Sequence, residues 1–239
     1  MSNEIITLGV DLGRAGKTAF CVLTGNEQFT IHCPHLSALS SVSSPQVEES
    51  LMTMYGRFTP DVIVLENNGP GGIFVDYLLH HHQELLSRII SIDTSLPPLE
   101  LELWNDLKLS AKELLNVRAE MYWLTRLLFK ERRITLSEED EELFAQLSTI
   151  AWDWDTTRND KIYIISKRKL NLRTMSELGG ELFSKSPDKA DSLALAALGY
   201  AIVVQEFLTK TSEEQEEEFT QPLEGYEGFF DIGRAGIDA

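Results

Sequence analysis

The first forty residues carry the alternation of apolar and polar positions that is typical of extended strands. The apolar run ITLGVD leads into the polar stretch GRAGKT, which is followed by AFCVLTGNEQFTIHC, rich in β-branched and aromatic residues. Gly25-Asn26 interrupts this last run, and such a pair favours a tight turn between antiparallel strands. The pattern therefore predicts a three-stranded antiparallel meander whose first strand ends at Asp11.

Helices and short apolar strands alternate after a serine-rich connector. The next segments read as helix, buried strand ending at Glu66, helix and strand, and Ser44 suits the N-cap of the first helix. In order they are PQVEESLMTMYGRF, DVIVLE, IFVDYLLHHHQELL and RIISIDT. A meander followed by this αβαβ run predicts an α/β fold with a mixed sheet, its meander continued by parallel strands and flanked by helices.

The second half of the chain is mainly helical in pattern. We predict two helices, the second with Ser137 as its N-cap, then a strand and a long helix rich in alanine and leucine. These segments are LNVRAEMYWLTRLLFKERR, SEEDEELFAQLSTIAW, KIYIISKRK and SKSPDKADSLALAALGYAIVVQEFL. We place one domain at residues 1–210 and an acidic C-terminal tail with few core residues at 211–239.

Composition narrows the class of protein without naming its function. The chain has 239 residues, of which 43% are hydrophobic, which is enough for a substantial core. The pattern shows no run of 18 apolar residues and no signal peptide at the start, so we expect no membrane span. Only two cysteines are present, and we interpret Cys21 and Cys33 as reduced, buried thiols of a cytosolic protein.

The net charge of −17 is unevenly distributed. The last 29 residues carry nine acidic residues and one basic residue, whereas the stretch from 158 to 173 carries six basic residues and one acidic. A local basic patch, rather than the total charge, determines binding to nucleic acid. The candidate DNA-binding residues are Arg158, Lys161, Lys167, Arg168, Lys169 and Arg173.

The stretch VDLGRAGKT ends like a phosphate-binding P-loop. A P-loop requires a glycine five residues before the glycine of GKT, and Asp11 occupies that position, where its carboxylate would repel a phosphate. A P-loop also opens a helix, whereas a β-rich segment follows here. We therefore reject a nucleotide site and take Asp11 as the functional residue of this stretch.

Several carboxylates lie where predicted elements end or begin. Asp11 and Glu66 close strands, while Asp188 and Asp191 lie one turn apart at the start of the last long helix. Carboxylates at such positions can converge on one point of an α/β sheet, where their mutual repulsion favours a bound cation. Mg²⁺ and Mn²⁺ prefer oxygen ligands, and two such ions can promote phosphodiester cleavage.

The order of these motifs resembles the nuclease domain of phage terminase large subunits, which has an RNase H/RuvC-like fold. The resemblance extends from about Ile5 to Leu208 and is most specific in the S-P-D-x-A-D stretch after a strand ending in serine and lysine. Four stretches carry it: GVDLGRAGKTAF, DVIVLENNGPGG, LLNVRAEMYWLTRLL, and KIYIISKRKLNLR with SKSPDKADSLALA.

The resemblance implies metal-dependent cleavage of double-stranded DNA during viral genome packaging, with two Mg²⁺ or Mn²⁺ ions. It implies that Asp11, Glu66 and Asp191 are catalytic metal ligands and that Asp188 is a fourth carboxylate or the partner of a metal-bound water. The implied partners, besides DNA, are a packaging ATPase domain, the small terminase subunit and the portal. A phage or prophage protein in the host cytoplasm is the implied setting.

Two other functions fit the same sequence. A RuvC-like junction resolvase would use the same carboxylates, and a DNA-binding or assembly module of a packaging motor would have this fold without cutting. Because the chain has no P-loop and its first strand begins a few residues after Met1, we expect an excised domain, a fragmentary gene product or a separate nuclease rather than a complete terminase.

Overall fold

The computed structural model describes most of the chain up to residue 220. The described residues are 4–12, 18–40, 43–68, 70–99, 101, 111–137, 139–158, 160–165 and 188–220. The predicted turn between the first two strands lies outside them, as do Lys167, Arg168, Lys169 and Arg173.

The main sheet has six strands in the order β5-β4-β1-β2-β3-β6. Strands β1 to β3 form the predicted antiparallel meander, and β4, β5 and β6 each pair in parallel with a neighbour, so the predicted mixed α/β sheet is confirmed. The strands are β1 Ile5–Leu12, β2 Thr18–Gly25, β3 Ile31–Leu39, β4 Val62–Glu66, β5 Ile89–Ile92 and β6 Ile134–Leu136.

The described residues also form five α-helices and a separate hairpin. The helices are α1 Ser44–Phe58, α2 Pro70–His81, α3 Val117–Lys130, α4 Glu141–Thr149 and α5 Asp188–Thr220, with short 3-10 turns at Gln83–Leu85 and Ala111–Glu113. The hairpin consists of β7 Trp152–Asp155 and β8 Lys161–Ile164, paired antiparallel. The predicted KIYI strand is thus present, but it pairs outside the main sheet.

Two helix starts differ from the sequence-based prediction. Helix α4 begins at Glu141, because Asp140 is its N-cap and Asp140 Oδ1 accepts a hydrogen bond of 2.8 Å from the amide of Leu143. Ser137 instead follows strand β6, which the sequence reading missed, and its hydroxyl donates to the carbonyl of Cys33. Helix α1 is capped by Ser43, one residue earlier than predicted.

The two faces of the sheet are covered by different helices. Side chains alternate along a strand, so Leu8 and Val10 of β1 point to one face, where they pack with residues of α1 and α2. The opposite face receives α5: the Thr7 hydroxyl donates a 3.0 Å hydrogen bond to the Ala196 carbonyl. At Gly9, a Cβ would overlap the Ser192 carbonyl oxygen and the Ala196 amide, so only glycine permits this approach.

Helix α5 is the central helix of this core. By length and composition, its segment Asp188–Phe207 could cross a membrane, which the sequence pattern did not suggest. However, 72% of this segment is buried within the fold. That burial is typical of the core helix of a soluble protein. Among the described residues, those up to Gln205 form one compact unit and those from Glu206 to Thr220 belong to a second. The domain boundary predicted at 210/211 stays a prediction.

The cysteines are free and buried, as the composition suggested. They lie on the adjacent strands β2 and β3, with the Cys21 and Cys33 sulfur atoms 3.7 Å apart. Burial raises the pKa of the Cys21 thiol, which keeps it protonated and poorly nucleophilic.

Candidate active site

Two of the predicted carboxylates lie at the same end of neighbouring strands. Strands β1 and β4 are parallel, with Val10 opposite Leu65, so Asp11 and Glu66 are the next residues of each. Asp11 shares its side of β1 with Thr7 and Gly9, which contact α5. Glu66 likewise shares its side with Val62 and Val64, which lie against Gly199 of α5. Both carboxylates therefore face the α5 side of the sheet.

The direction of α5 brings the other two carboxylates to the same end. Ala196 lies beside Thr7 and Gly9, and Ser192 beside Gly9, so α5 runs opposite to β1. Residues nearer the start of the helix therefore lie nearer the Asp11 end of the strand. Asp188 and Asp191 occupy the first turn of α5 and are 5% and 4% exposed, and Asp11 is 5% exposed.

Helix α3 supplies two partners for Asp191. The Arg118 guanidinium donates to Asp191 Oδ1 through Nη2 at 3.1 Å, and the Tyr122 hydroxyl donates to the same oxygen. Arg118 and Tyr122 are four residues apart, so they lie on one face of the helix, and the guanidinium stands 5.2 Å from the centre of the Tyr122 ring. Asp191 Oδ1 thus accepts hydrogen bonds from a cation and a phenol on the same face of α3.

Glu66 is held by a separate pair of polar side chains. Its Oε1 accepts hydrogen bonds of 2.6 Å from the Thr94 hydroxyl and 3.1 Å from the Asn68 amide. Thr94 is buried, and its carbonyl accepts a 2.9 Å hydrogen bond from the backbone amide of Arg118. The segment after β5 therefore links the Glu66 carboxylate to the start of α3.

The charges of the site act together on Arg118. Burial, the largest single effect, would lower the pKa of its guanidinium, but the electrostatic effects of Asp191, Tyr122, Glu66 and Asp11 together outweigh burial and raise it above its usual value. Burial also raises the pKa of Tyr122, and the charge of Asp191 adds to that effect, so its hydroxyl stays protonated and able to donate. Of the predicted catalytic carboxylates, Asp191 is in direct contact with this cation.

The site suits a divalent cation in its donor chemistry. Within the described part of the chain, Asp188 Oδ1 is buried and has no hydrogen-bond partner, which is costly for a carboxylate oxygen unless a ligand satisfies it. Three buried aspartates in one region also repel one another, which favours a bound cation. Yet among the described residues no three acidic, histidine or cysteine side chains are spaced to hold one ion.

The fold is similar to that of several solved large terminase nuclease domains. The nuclease domain of the large terminase subunit gp2 of bacterial virus Sf6 matches with a TM-score of 0.59 and 15% identity, over 82% of this chain and 89% of that one. A mutant of that domain with manganese gives 0.57 and 14% over the same shares. The large terminase nuclease from thermophilic phage G20c gives 0.53 and 14%, over 81% of each chain.

The chain has the fold of large terminase nuclease domains. The predicted RNase H-like fold is thereby confirmed. No protein-family model and no curated protein sequence matches the chain, which is consistent with identities of 15% or less to the terminase structures.

Within this terminase nuclease fold, only part of the predicted DNA-binding segment is described. Lys161 begins β8, and Arg158 lies exposed in the preceding turn, where its guanidinium is 3.9 Å from the Asp155 carboxylate. The other four basic residues lie outside the described residues, so their approach to DNA stays a prediction.

Sequence reasoning missed the residues that surround the carboxylates. Arg118, Tyr122, Thr94 and Asn68 contact the candidate ligands but carried no assigned role. Arg118 does lie in the N-x-R-A-E stretch that resembles terminases, and its four-residue spacing from Tyr122 was a usable signal. What the sequence could not supply is the contact itself, since Arg118 and Asp191 are 73 residues apart.

Proposed function

We propose that this chain is a metal-dependent endonuclease that cleaves double-stranded DNA during viral genome packaging. The observation that carries the proposal is the placement of Asp11 and Glu66 at the same end of two neighbouring parallel strands, with Asp191 in the first turn of the helix that packs on their side of the sheet, in a fold matched by terminase nucleases. Carboxylates that hold divalent ions favour hydrolysis by a metal-activated water.

Asp11, Glu66 and Asp191 would hold the metal, with Asp188 as a fourth carboxylate or as the partner of a bound water. Two Mg²⁺ or Mn²⁺ ions are proposed; when bound, such ions make water a stronger nucleophile and stabilise the leaving oxygen. The protein's own contribution is orientation. Thr94 and Asn68 fix one oxygen of Glu66, and Tyr122 donates to Asp191, so that both carboxylates are presented in set directions.

The basic segment is proposed to approach the DNA backbone. Arg158 and Lys161 begin this segment, and the remaining basic residues follow in sequence. Contacts of this kind are made with phosphates, so the affinity should fall steeply with added salt and carry little sequence preference. A packaging ATPase domain, the small terminase subunit and the portal are the proposed partners in the host cytoplasm, because tethering to a motor would offset weak binding.

A plasmid-cleavage assay tests the proposal. Supercoiled plasmid is incubated with the wild-type protein and Mn²⁺, Mg²⁺ or EDTA, and nicked and linear products are measured. Asp11→Asn and Asp191→Asn should each lower the metal-dependent rate by more than about a hundredfold, since even supporting residues at metal sites cost up to this factor. Asp76→Asn is the matched control, because Asp76 is an exposed carboxylate of α2.

The substrate separates the alternatives. A preference for four-way junctions over linear duplex would favour the junction resolvase. A folded protein that cuts no DNA with either metal would instead be an assembly or DNA-binding module, and the proposed activity would be wrong.

A further inference from the structure

Arg118 occupies an unusual position for an arginine. Its side chain is only 25% exposed, and it is ion-paired with a carboxylate that is 5% exposed. The same guanidinium is affected by the charges of Glu66 and Asp11. Arg118 is therefore a largely buried cation in direct contact with one of the proposed metal ligands, Asp191.

The backbone holds this arginine in place before any ligand arrives. Asn116 caps α3, accepting a 3.0 Å hydrogen bond from the amide of Ala119, and the amides of Val117 and Arg118 donate to the carbonyls of Leu96 and Thr94 at 2.9 Å each. The first turn of α3 is thus bound to the segment that also holds Glu66. Arg118 is built into the site and does not reach it by chance from a mobile surface.

Arg118 and a divalent ion would both bind the negatively charged carboxylate of Asp191. Asp191 Oδ1 already accepts hydrogen bonds from both Arg118 and Tyr122. An ion bound by Asp191 would stand next to a guanidinium of the same sign, and like charges at such distances repel strongly where water is largely excluded. Metal binding to Asp191 would therefore weaken the interaction of Arg118 with the carboxylates. By linkage, Arg118 would weaken metal binding to the same extent.

We propose that Arg118 is a resident countercation that neutralises the carboxylate cluster in the metal-free protein and competes with the metal for Asp191. This inference rests on the proposed function, because it takes these carboxylates as metal ligands. Arg118 then has two opposed effects: it stabilises the metal-free fold, and it lowers the affinity of the site for metal. A purely structural arginine would give the first effect without the second.

Calorimetric titration with Mn²⁺ measures the effect of Arg118 on metal affinity directly. Arg118→Met keeps the aliphatic stem and removes the charge, so its Mn²⁺ Kd should fall on the order of tenfold relative to wild type. Its melting temperature in EDTA should also fall, and the increase on adding saturating Mn²⁺ should be larger than in wild type. Arg126→Met is the matched control: Arg126 is exposed on the same helix, with its guanidinium 4.9 Å from the centre of the Trp123 ring, and the Mn²⁺ Kd should not change.

An unchanged or weaker Mn²⁺ affinity in Arg118→Met would overturn the inference, as would the absence of Mn²⁺ binding to both proteins. If Arg118→Met does not fold, the wild-type Arg118 guanidinium is followed by NMR during a Mg²⁺ titration. A saturable shift with the calorimetric Kd supports displacement, and an unmoved resonance at saturation contradicts it. Failure of the nuclease proposal can be told apart from failure of this inference. If Arg118→Met binds Mn²⁺ more tightly than wild type but neither protein cuts DNA, the inference holds and only the proposed nuclease activity is wrong.

Discussion

Asp191 shows how a single buried carboxylate depends on its neighbours. It is almost fully enclosed, and the described contacts that satisfy its Oδ1 come from Arg118 and Tyr122. A buried charge that loses a hydrogen-bond donor bears the desolvation cost that the donor had offset. The polar residues around the carboxylates should therefore affect stability as well as cleavage.

Removing the phenol hydroxyl of Tyr122 should be costly. We expect Tyr122→Phe to lower the free energy of unfolding by about 1.5–3 kcal/mol, the usual worth of a hydrogen bond to a charged group. Tyr77→Phe is the matched control, since the Tyr77 hydroxyl donates at 2.8 Å to Glu48 near the surface and should contribute much less. Urea unfolding of both variants measures the difference; equal losses would contradict the account of Asp191.

The pair of His82 and Glu48 should make stability depend on pH. The two side chains are 2.6 Å apart, and this hydrogen bond raises the pKa of His82 and lowers that of Glu48. The stabilisation from His82 is full below its usual pKa of about 6.5 and is lost as the pH rises through its raised value. That from Glu48 is present above its usual pKa and is lost as the pH falls through its lowered value.

The contribution of this pair is therefore largest near pH 5–6. His82→Gln should lower the melting temperature most in that range and have little effect at pH 9, although the pair is near the surface and the change should be small. A difference between the two proteins that does not vary from pH 5 to 9 would contradict the ion pair.

At the scale of elements, the site depends on how closely α5 approaches β1. Gly9 permits that approach, and Asp11 and Asp191 lie just beyond it on the two elements. Gly9→Ala should destabilise the protein by about 3 kcal/mol or more, because the atoms in the way are backbone and cannot move aside. Gly56→Ala is the control: nothing lies within 4 Å of its added Cβ in α1, and it should gain about 0.5–1 kcal/mol.

Thermal unfolding and plasmid cleavage measure both effects. Gly9→Ala should also lose cleavage, because moving α5 separates Asp191 from Asp11. A Gly9→Ala protein as stable and active as wild type would show that the contact between α5 and β1 does not position the site.

The elements also show which parts of the fold a sequence can reveal. The meander and the strands ending at Asp11 and Glu66 were predictable, because long apolar runs and turn residues mark them. Strand β6 was not, since its three residues, Ile134–Leu136, carry no periodicity and become a strand only by pairing with β3. The N-cap of α4 was misplaced because Ser137 and Asp140 are both good caps and tertiary pairing decided between them.

At the scale of the whole molecule, local arrangement outweighs overall composition. A net charge of −17 on its own argues against a nucleic-acid partner, yet the chain has the fold of large terminase nuclease domains. The pattern of strands and helices predicted the mixed sheet, and the resemblance of four stretches to terminase nucleases predicted the RNase H-like fold and nominated the site. The contact of Arg118 with the site was not predictable, because only folding brings Arg118 of α3 next to Asp191 of α5.

The central claim is that these carboxylates form one metal site, and anomalous diffraction tests it most directly. Crystals of the wild-type protein are soaked in Mn²⁺, and data are collected at the manganese absorption edge. We predict an anomalous peak bounded by Asp11, Glu66 and Asp191, which is absent from Asp191→Asn crystals soaked in the same way. A wild-type protein that shows no peak there at saturating Mn²⁺, or binds it only elsewhere, would contradict the account.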